Sequence, residues 1–170
     1  MQLIEPFKSK CGSKDNIVSF EDVNCSVSSI APYTFASCYN LSSVSLSNSL
    51  KEIGDYAFNG CSSLYEVNLF NDKNYLLDRV GDYAFSNTKL KKAYLSLRSS
   101  NTDTWWGDYC FKGCKDLEEI SIVNSTYTSR GMFSGCSRLS SVTFMNDAVN
   151  YVFPYVFENC KSLKDIVLPS

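Results

Sequence analysis

The stretch Ile53-Gly54-Asp55-Tyr56-Ala57-Phe58-Asn59-Gly60-Cys61-Ser62-Ser63-Leu64-Tyr65-Glu66-Val67-Asn68-Leu69 decides the fold, because copies of it recur almost from one end of the chain to the other. Its returning residues give the pattern I-x-x-Y-x-F-x-x-C-x-x-L-x-x-V-x-L. The phenylalanine recurs at steps of 23, 27, 26, 22 and 24 residues, which is the mark of a repeat protein. The copies of this phenylalanine are Phe35, Phe58, Phe85, Phe111, Phe133 and Phe157.

The remaining positions of the pattern are apolar in nearly every copy. A cysteine follows three residues after the phenylalanine in five copies, whereas the third copy has Thr88 there and is one residue shorter before its leucine. A unit of about 20 to 30 residues cannot enclose a core alone, so the copies must stack into a solenoid. The segment L-x-x-V-x-L then forms a half-buried strand, with V and the last L inward, and the stacked strands form a parallel sheet.

This pattern resembles the leucine-rich repeat and, within it, the BspA-like (Treponema pallidum type) class. The class motif I-G-x-x-A-F-x-x-C-x-x-L-x-x-I-x-L is matched closely by Ile53 to Cys61 and by Val80 to Phe85. The resemblance covers Val27 to Leu168, and it departs at residues 128–133, where the Ile and Tyr positions are lost. It implies a leucine-rich-repeat solenoid of the right-handed α/β superhelix type. Its parallel β-sheet lies on one face, with turns, short strands or 3₁₀ segments after each phenylalanine on the other.

The 170 residues are enough for one continuous domain. Residues 1–26 read as an N-terminal cap with a degenerate repeat, in which Phe7 and Cys11 keep part of the pattern and Val18-Ser19-Phe20 predicts a seventh strand. Residues 27–170 hold six BspA-like repeats. Because the last strand is followed by no polar capping segment, we expect an open edge there, which end-to-end or larger assembly contacts, further repeats or nearby charges would protect.

The charge balance argues against several classes of partner. With 16 basic and 18 acidic residues, the chain carries no field strong enough to attract nucleic acid or an anionic membrane. The short basic run of Lys89, Lys91 and Lys92 reads as a solvated face. No stretch approaches the roughly 18 apolar residues of a membrane span, and the first residues lack the apolar core of a signal peptide.

The eight cysteines are explained mainly by the repeat. Five occupy one equivalent position and Cys110 occupies the site of Ala57 and Ala84, so we predict a column of buried free thiols. A disulfide between Cys11 and Cys25 is a minor alternative. A zinc site is not expected, since the chain has no histidine.

Function, if it is binding, must lie on rows that point outward. The sheet face is predicted to be polar and broad, as surfaces for protein partners are. Tyr33, Tyr56, Tyr83, Tyr109 and Tyr155 should form a column on the outer side, stacked edge to edge. Trp106 should be core and Trp105 an exposed anchor. The candidate partner-binding residues are Glu66, Asn68, Phe70, Lys92, Tyr94, Trp105 and Glu119.

The chain is not predicted to be an enzyme, and no catalytic, cofactor or metal residues are assigned. It lacks histidine and a nucleophile elbow, and Glu66 and Glu119 alternate with Lys92 as in cross-strand charge pairs. The resemblance implies a non-enzymatic protein-protein interaction module of the surface or adhesion type, so a cell-surface or extracellular location is expected although this chain shows no signal peptide. The alternative is an intracellular structural component of a larger assembly, which reduced cysteines favour.

Overall fold

The chain folds into strands that are joined by tight turns. The computed structural model describes residues 2–4, 16–22, 25, 27–70, 77–96, 105–123, 128–145 and 151–168, with side chains from residue 16 onward except that of Phe70. The strands within these ranges are β1 (Gln2–Ile4), β2 (Ser19–Glu21), β3 (Val27–Ile30), β4 (Ser43–Ser45), β5 (Glu52–Ile53), β6 (Glu66–Val67), β7 (Arg79–Val80), β8 (Lys92–Ser96), β9 (Trp105–Trp106), β10 (Glu119–Val123), β11 (Ser141–Met145) and β12 (Asp165–Val167).

The strands form three sheets, and every pairing is parallel. One sheet has the order β1-β3-β5-β7-β9 and holds the Ile position of the pattern; we call it the I-side sheet. The other two, β2-β4-β6 and β8-β10-β11-β12, hold the Val position, and together we call them the V-side face. Equivalent positions pair across coils, as Val44 does with Val67 and Ile120 with Val142. Each coil therefore advances the chain by one repeat, as the sequence predicts.

The core is one column of stacked side chains. The ring centroids of Phe35 and Phe58 lie 5.0 Å apart and those of Phe58 and Phe85 5.1 Å apart, close to the spacing of adjacent strands. These three rings are fully buried. Leucine, valine and cysteine rows surround them in a single apolar cluster. The predicted shared interior is confirmed.

The α/β superhelix is wrong, because turns follow each phenylalanine and the described residues contain no α-helix. Tyr56 has φ +56° and Gly60, four residues on, has φ +74°, and two left-handed residues so close together interrupt any helix. In this turn, every second backbone N–H group donates to the next coil: Tyr56 N–H donates to Asp82 O (2.8 Å) and Phe58 N–H to Ala84 O (2.8 Å). Of the predicted alternatives for this side, the described residues form turns and short strands but no 3₁₀ segment; the 3₁₀ turn at Asn68–Phe70 follows β6 instead.

The predicted seventh strand near the N-terminus is confirmed. It is β2, which pairs with β4 and places Phe20 against Phe35 at 5.2 Å between ring centroids. Phe7 and Cys11 lie outside the described residues, and the boundary between cap and repeats stays a prediction.

Coil 5, the coil of Phe133, departs from its neighbours where the motif is lost. The I-side sheet ends at β9, and the ring spacing widens to 5.9 Å between Phe111 and Phe133. Gly131 stands at the tyrosine position with φ +56°, so it keeps the left-handed turn without a side chain. The coil is still packed, since Thr128, Met132 and Phe133 are buried.

Candidate functional site

The outward row that precedes the Val position carries the charges of the V-side face. Glu66, Lys92 and Glu119 are exposed, whereas Val67, Ala93 and Ile120 next to them are buried. The row between the V and L positions is less open, and Tyr94 there is only half-buried. Alternation along each strand thus separates the core from a surface that a partner can reach.

Lys92 and Glu119 form the cross-strand pair that the sequence predicts. Lys92 on β8 lies directly opposite Glu119 on β10, and Lys92 Nζ donates to Glu119 Oε2 at 2.8 Å. The hydrogen bond and the charge of Glu119 raise the pKa of Lys92. Both side chains stay more than half exposed, so the pair orders the surface more than it stabilises the fold.

Asn68 serves the backbone rather than the surface. Its side-chain oxygen accepts from Leu46 N–H at 2.8 Å and its amide donates to Leu46 O at 2.7 Å, so the side chain takes the place of a strand partner. Phe70 ends the 3₁₀ turn that follows, and its side chain is outside what the structure describes.

Trp105 lies on the I-side sheet and therefore away from Tyr94, Lys92 and Glu119. It is 40% exposed, as an anchor must be. The guanidinium of Arg79 stacks on its ring at 5.1 Å and also binds Asp55 at 2.8 Å. The structure thus brings together Lys92, Tyr94 and Glu119, whereas Glu66 lies across an interruption of the face.

That interruption separates β6 from β8. Within the described ranges, β6 pairs with β4 alone and β8 with β10 alone, so the V-side face is split at coil 3. A hollow of about 300 Å³ opens at the split. Sequence reasoning treated Lys91 as a solvated residue and missed Tyr65 altogether; the signal that could have found both is the one-residue shortening of the third copy. The hollow is lined by Tyr65, Glu66, Val67, Leu90, Lys91 and Lys92.

A second, more acidic hollow of about 330 Å³ lies on the sheet β2-β4-β6. Three serines, one from β2 and two from β4, line it together with Glu21 and Glu66. It is shallow and polar, which suits contacts with a protein surface more than enclosure of a small molecule. Among the described residues, no group of three or more His, Cys, Asp or Glu is placed to hold a metal ion.

The cysteine column is a ladder of weak hydrogen bonds. Cys61 Sγ donates to Phe35 O at 3.0 Å, and Cys114 and Cys136 repeat this contact with Phe85 O and Phe111 O at 3.1 and 3.2 Å. Burial raises the pKa of Cys110 well above its ordinary value and that of Cys160 to about 11. Thiols held protonated in this way are structural, not nucleophilic.

All seven cysteines among the described residues carry free thiols. Cys25 is one of them and is exposed, while Cys11, the partner suggested for it, lies outside the described residues.

The tyrosine column is stacked face to face, not edge to edge as the sequence suggested. Tyr33 and Tyr56 lie 5.0 Å apart with their rings within 3° of parallel, and Tyr83 continues the stack at 5.0 Å. The coil spacing forces this arrangement, since equal side chains on equal backbones repeat in parallel. Lys112 Nζ lies 5.0 Å from the centre of the Tyr109 ring.

Comparison with solved structures agrees with the fold. The chain is similar to a leucine-rich repeat protein from Bacteroides ovatus, with a TM-score of 0.56 and 22% identity over 84% of this chain and 41% of that one. It is also similar to the pneumococcal vaccine antigen PcpA, with a TM-score of 0.60 and 18% identity over 91% of this chain and 42% of that one. The chain thus spans about two fifths of the length of these relatives.

The search of curated proteins gives no match to this chain. Within the described parts of the chain, no helix is long and apolar enough to cross a membrane. The family described as BspA type leucine-rich repeat region matches residues 28–164 in six copies, the same number that the phenylalanine spacing gives. Since this match covers most of the chain, the protein belongs to the BspA-type leucine-rich repeat family.

Proposed function

We propose that this chain is a non-enzymatic protein-binding module of the surface or adhesion type, which meets its partner with the V-side face. Leucine-rich repeats generally mediate protein-protein interaction, and this chain belongs to that family. The observation that carries the proposal is the alternation along the strands. The inward rows pack in the core, whereas Lys92 and Glu119 pair in register on the outside, with Tyr94 two residues further along β8.

The size and chemistry of this face support a macromolecular partner. An ordered ion pair beside a half-exposed tyrosine gives both the orientation and the contact area that protein interfaces use. Glu66 extends the same row across the split, and Trp105 with Arg79 forms a separate exposed aromatic site on the I-side sheet.

The proposal is tested by capture on the immobilised chain. Intact-cell surface extracts and a total lysate are applied to the wild type, to a V-side variant with Tyr94→Ala and Glu119→Gln, and to a matched variant with Tyr39→Ala and Glu52→Gln. The matched variant changes the same residue types at exposed positions off the V-side face. Asn68 is left unchanged, because its side chain holds the backbone of Leu46. We expect the V-side variant alone to lose the captured protein.

A protein that both variants retain equally would contradict the V-side face as the binding surface. Surface display is checked separately, by antibody labelling of intact cells against permeabilised ones. Labelling only after permeabilisation would support the second candidate, a structural component inside the cell, which the free thiols of the described cysteines favour.

A further inference from the structure

Coil 3, the coil of Phe85, is one residue shorter between its phenylalanine and its leucine than its neighbours. Phe85 and Leu90 are five positions apart, whereas Phe58 and Leu64 are six apart. Two hollows open beside the shortened stretch. One is the split between β6 and β8, of about 300 Å³, and the other, of about 220 Å³, is lined by residues that include Ser62, Asn87, Lys89 and Lys115. Because the first is lined by Leu90, Lys91 and Lys92 and the second by Asn87, Thr88 and Lys89, the two follow each other along the chain. We call them together the recess.

The recess carries positive charge that the described part of the chain does not neutralise. Lys89, Lys91 and Lys115 are exposed and have no carboxylate partner among the described residues. Apart from Glu66, the acids that line or adjoin the two hollows, among them Asp116 in the second, are already engaged by other cations. Asp116 and Glu118 both pair with Arg138, at 3.6 and 2.5 Å, and Glu119 pairs with Lys92. A ligand with carboxylates would therefore complete pairs that the fold leaves open.

The split also offers backbone and apolar contacts. Leu64 O accepts from Lys89 N–H at 2.9 Å, but beyond this bond β6 and β8 are not paired with each other within the described residues, and an extended chain can hydrogen-bond to such an edge. Tyr65 lines the hollow and is 54% exposed, so it supplies the apolar contact, whereas Val67 and Leu90 in the same lining are buried. A ligand with apolar as well as acidic groups fits these contacts.

Glu66 decides between two kinds of anionic ligand. It lines the same hollow as Lys91 and Lys92 and has no ion-pair partner in the described parts of the chain. A uniformly charged chain, such as a sulfated glycan or nucleic acid, would place a negative group against this carboxylate. A peptide can place a neutral or basic residue there.

We infer that the recess of coil 3 binds an extended acidic peptide segment of the protein partner, with its carboxylates on Lys89, Lys91 and Lys115. The inference rests on the protein binding proposed above and names the chemistry of the partner. The apolar residues of the peptide lie against Tyr65, and a non-acidic residue of the peptide faces Glu66.

The test uses a fluorescent peptide of alternating Glu and Val, with a Lys and Val peptide and a sulfated oligosaccharide as comparisons. Affinity is measured by polarisation for the wild type, for a variant with Lys89→Ser, Lys91→Ser and Lys115→Ser, and for a control variant with Lys51→Ser, Lys161→Ser and Lys164→Ser. The control removes the same net charge at exposed positions of other coils. We expect the recess variant to lose about tenfold or more in affinity and the control to change by less than about twofold. Wild-type affinity should weaken as salt is raised.

Three results would overturn the inference: no binding of the acidic peptide by the wild type, equal losses in the two variants, or binding of the sulfated oligosaccharide without the peptide. The capture experiment separates this failure from that of the proposed function. If the Tyr94→Ala and Glu119→Gln variant loses the captured partner while the wild type binds no acidic peptide, the proposed protein binding stands and the inference about the recess is wrong. Peptide binding at the recess, with capture unaffected by the V-side variant, moves the interface from Tyr94 and Glu119 to the recess.

Discussion

At the scale of single residues, the turn side is stabilised by side chains that reach the next coil. Asp55 Oδ1 accepts from Asp82 N–H at 3.0 Å, and Asp82 Oδ1 accepts from Asp108 N–H at 2.8 Å. The series ends with Arg130, whose guanidinium cannot accept a hydrogen bond. The equivalent residue of the following coil is Pro154, which has no N–H to offer. The residue without an N–H, Pro154, therefore follows the coil whose side chain at this position, that of Arg130, cannot accept a hydrogen bond.

The tyrosines of this side hold a backbone conformation that side chains normally avoid. Tyr83 has φ +53°, and its ring lies between those of Tyr56 and Tyr109 at 5.0 and 5.1 Å. Stacking on two neighbours is worth roughly 0.5–1.5 kcal/mol per contact, which offsets a left-handed cost of about 1 kcal/mol. The column is therefore a balance between packing and backbone strain.

Substitution of Tyr83 should reverse the usual order of alanine and glycine. Tyr83→Ala loses both stacking contacts and keeps the strain, so we expect the free energy of unfolding to fall by about 1–3 kcal/mol. Tyr83→Gly loses the same contacts but relieves the strain, and it should be more stable than the alanine variant by about 1 kcal/mol. Urea unfolding measures both values. An alanine variant more stable than the glycine variant would show that this φ carries no cost.

At the scale of elements, repeat spacing predicts the strands well and their connections poorly. The rows of Phe58, Leu64 and Val67 are buried as the pattern predicts, because apolar burial depends only on the position within the repeat. The Tyr56 turn was not predictable from composition, since a left-handed tyrosine is rare and is stabilised here by neighbours in other coils. The role of Asn68 was hidden for the same reason: its partner, Leu46, lies 22 residues away.

The candidate site likewise has one part that the sequence predicts and one part that it does not. Pairing of Lys92 with Glu119 follows from strand register, so the sequence alone suffices to predict it. The recess, in contrast, arises where β6 and β8 do not pair beside the shortened turn of coil 3. This lack of pairing depends on the arrangement of three coils together. The connections at residues 71–76 and 97–104 are outside the described residues.

Restoring the missing residue should close the split in the V-side face. A serine inserted between Thr88 and Lys89 returns coil 3 to the six-residue spacing of its neighbours. We expect β6 to pair with β8, and each added backbone hydrogen bond to raise the free energy of unfolding by about 0.5–1.5 kcal/mol. Slower hydrogen exchange at Glu66 and Val67 would report the new pairing. An unchanged exchange rate there would mean that the shortened turn is not the cause of the split.

At the scale of the whole molecule, two of the thiols, those of Cys110 and Cys160, couple stability to pH. The folded protein keeps Cys110 protonated because burial raises its pKa well above the ordinary value of 9.0. Cys160 behaves in the same way, with burial raising its pKa to about 11. The unfolded chain releases these protons near pH 9 while the folded chain retains them. The folded state then binds more protons than the unfolded one, so stability is complete below about pH 9 and falls as the pH rises further.

The free energy of unfolding should therefore decrease by about 1.4 kcal/mol per pH unit for each thiol that only the unfolded chain ionises. Urea unfolding under reductant, compared at about pH 8 and about pH 10, measures this slope. Cys110→Ala should make the slope shallower by the contribution of about one thiol. At neutral pH this substitution should lower the free energy of unfolding only slightly, because the equivalent residues of the two preceding coils are alanines, Ala57 and Ala84. Tyr83→Phe controls for the tyrosine column, since burial and the neighbouring tyrosines raise the pKa of Tyr83 as well. If Cys110→Ala leaves the slope unchanged while Tyr83→Phe reduces it, the alkaline instability belongs to the tyrosines rather than to the thiol column.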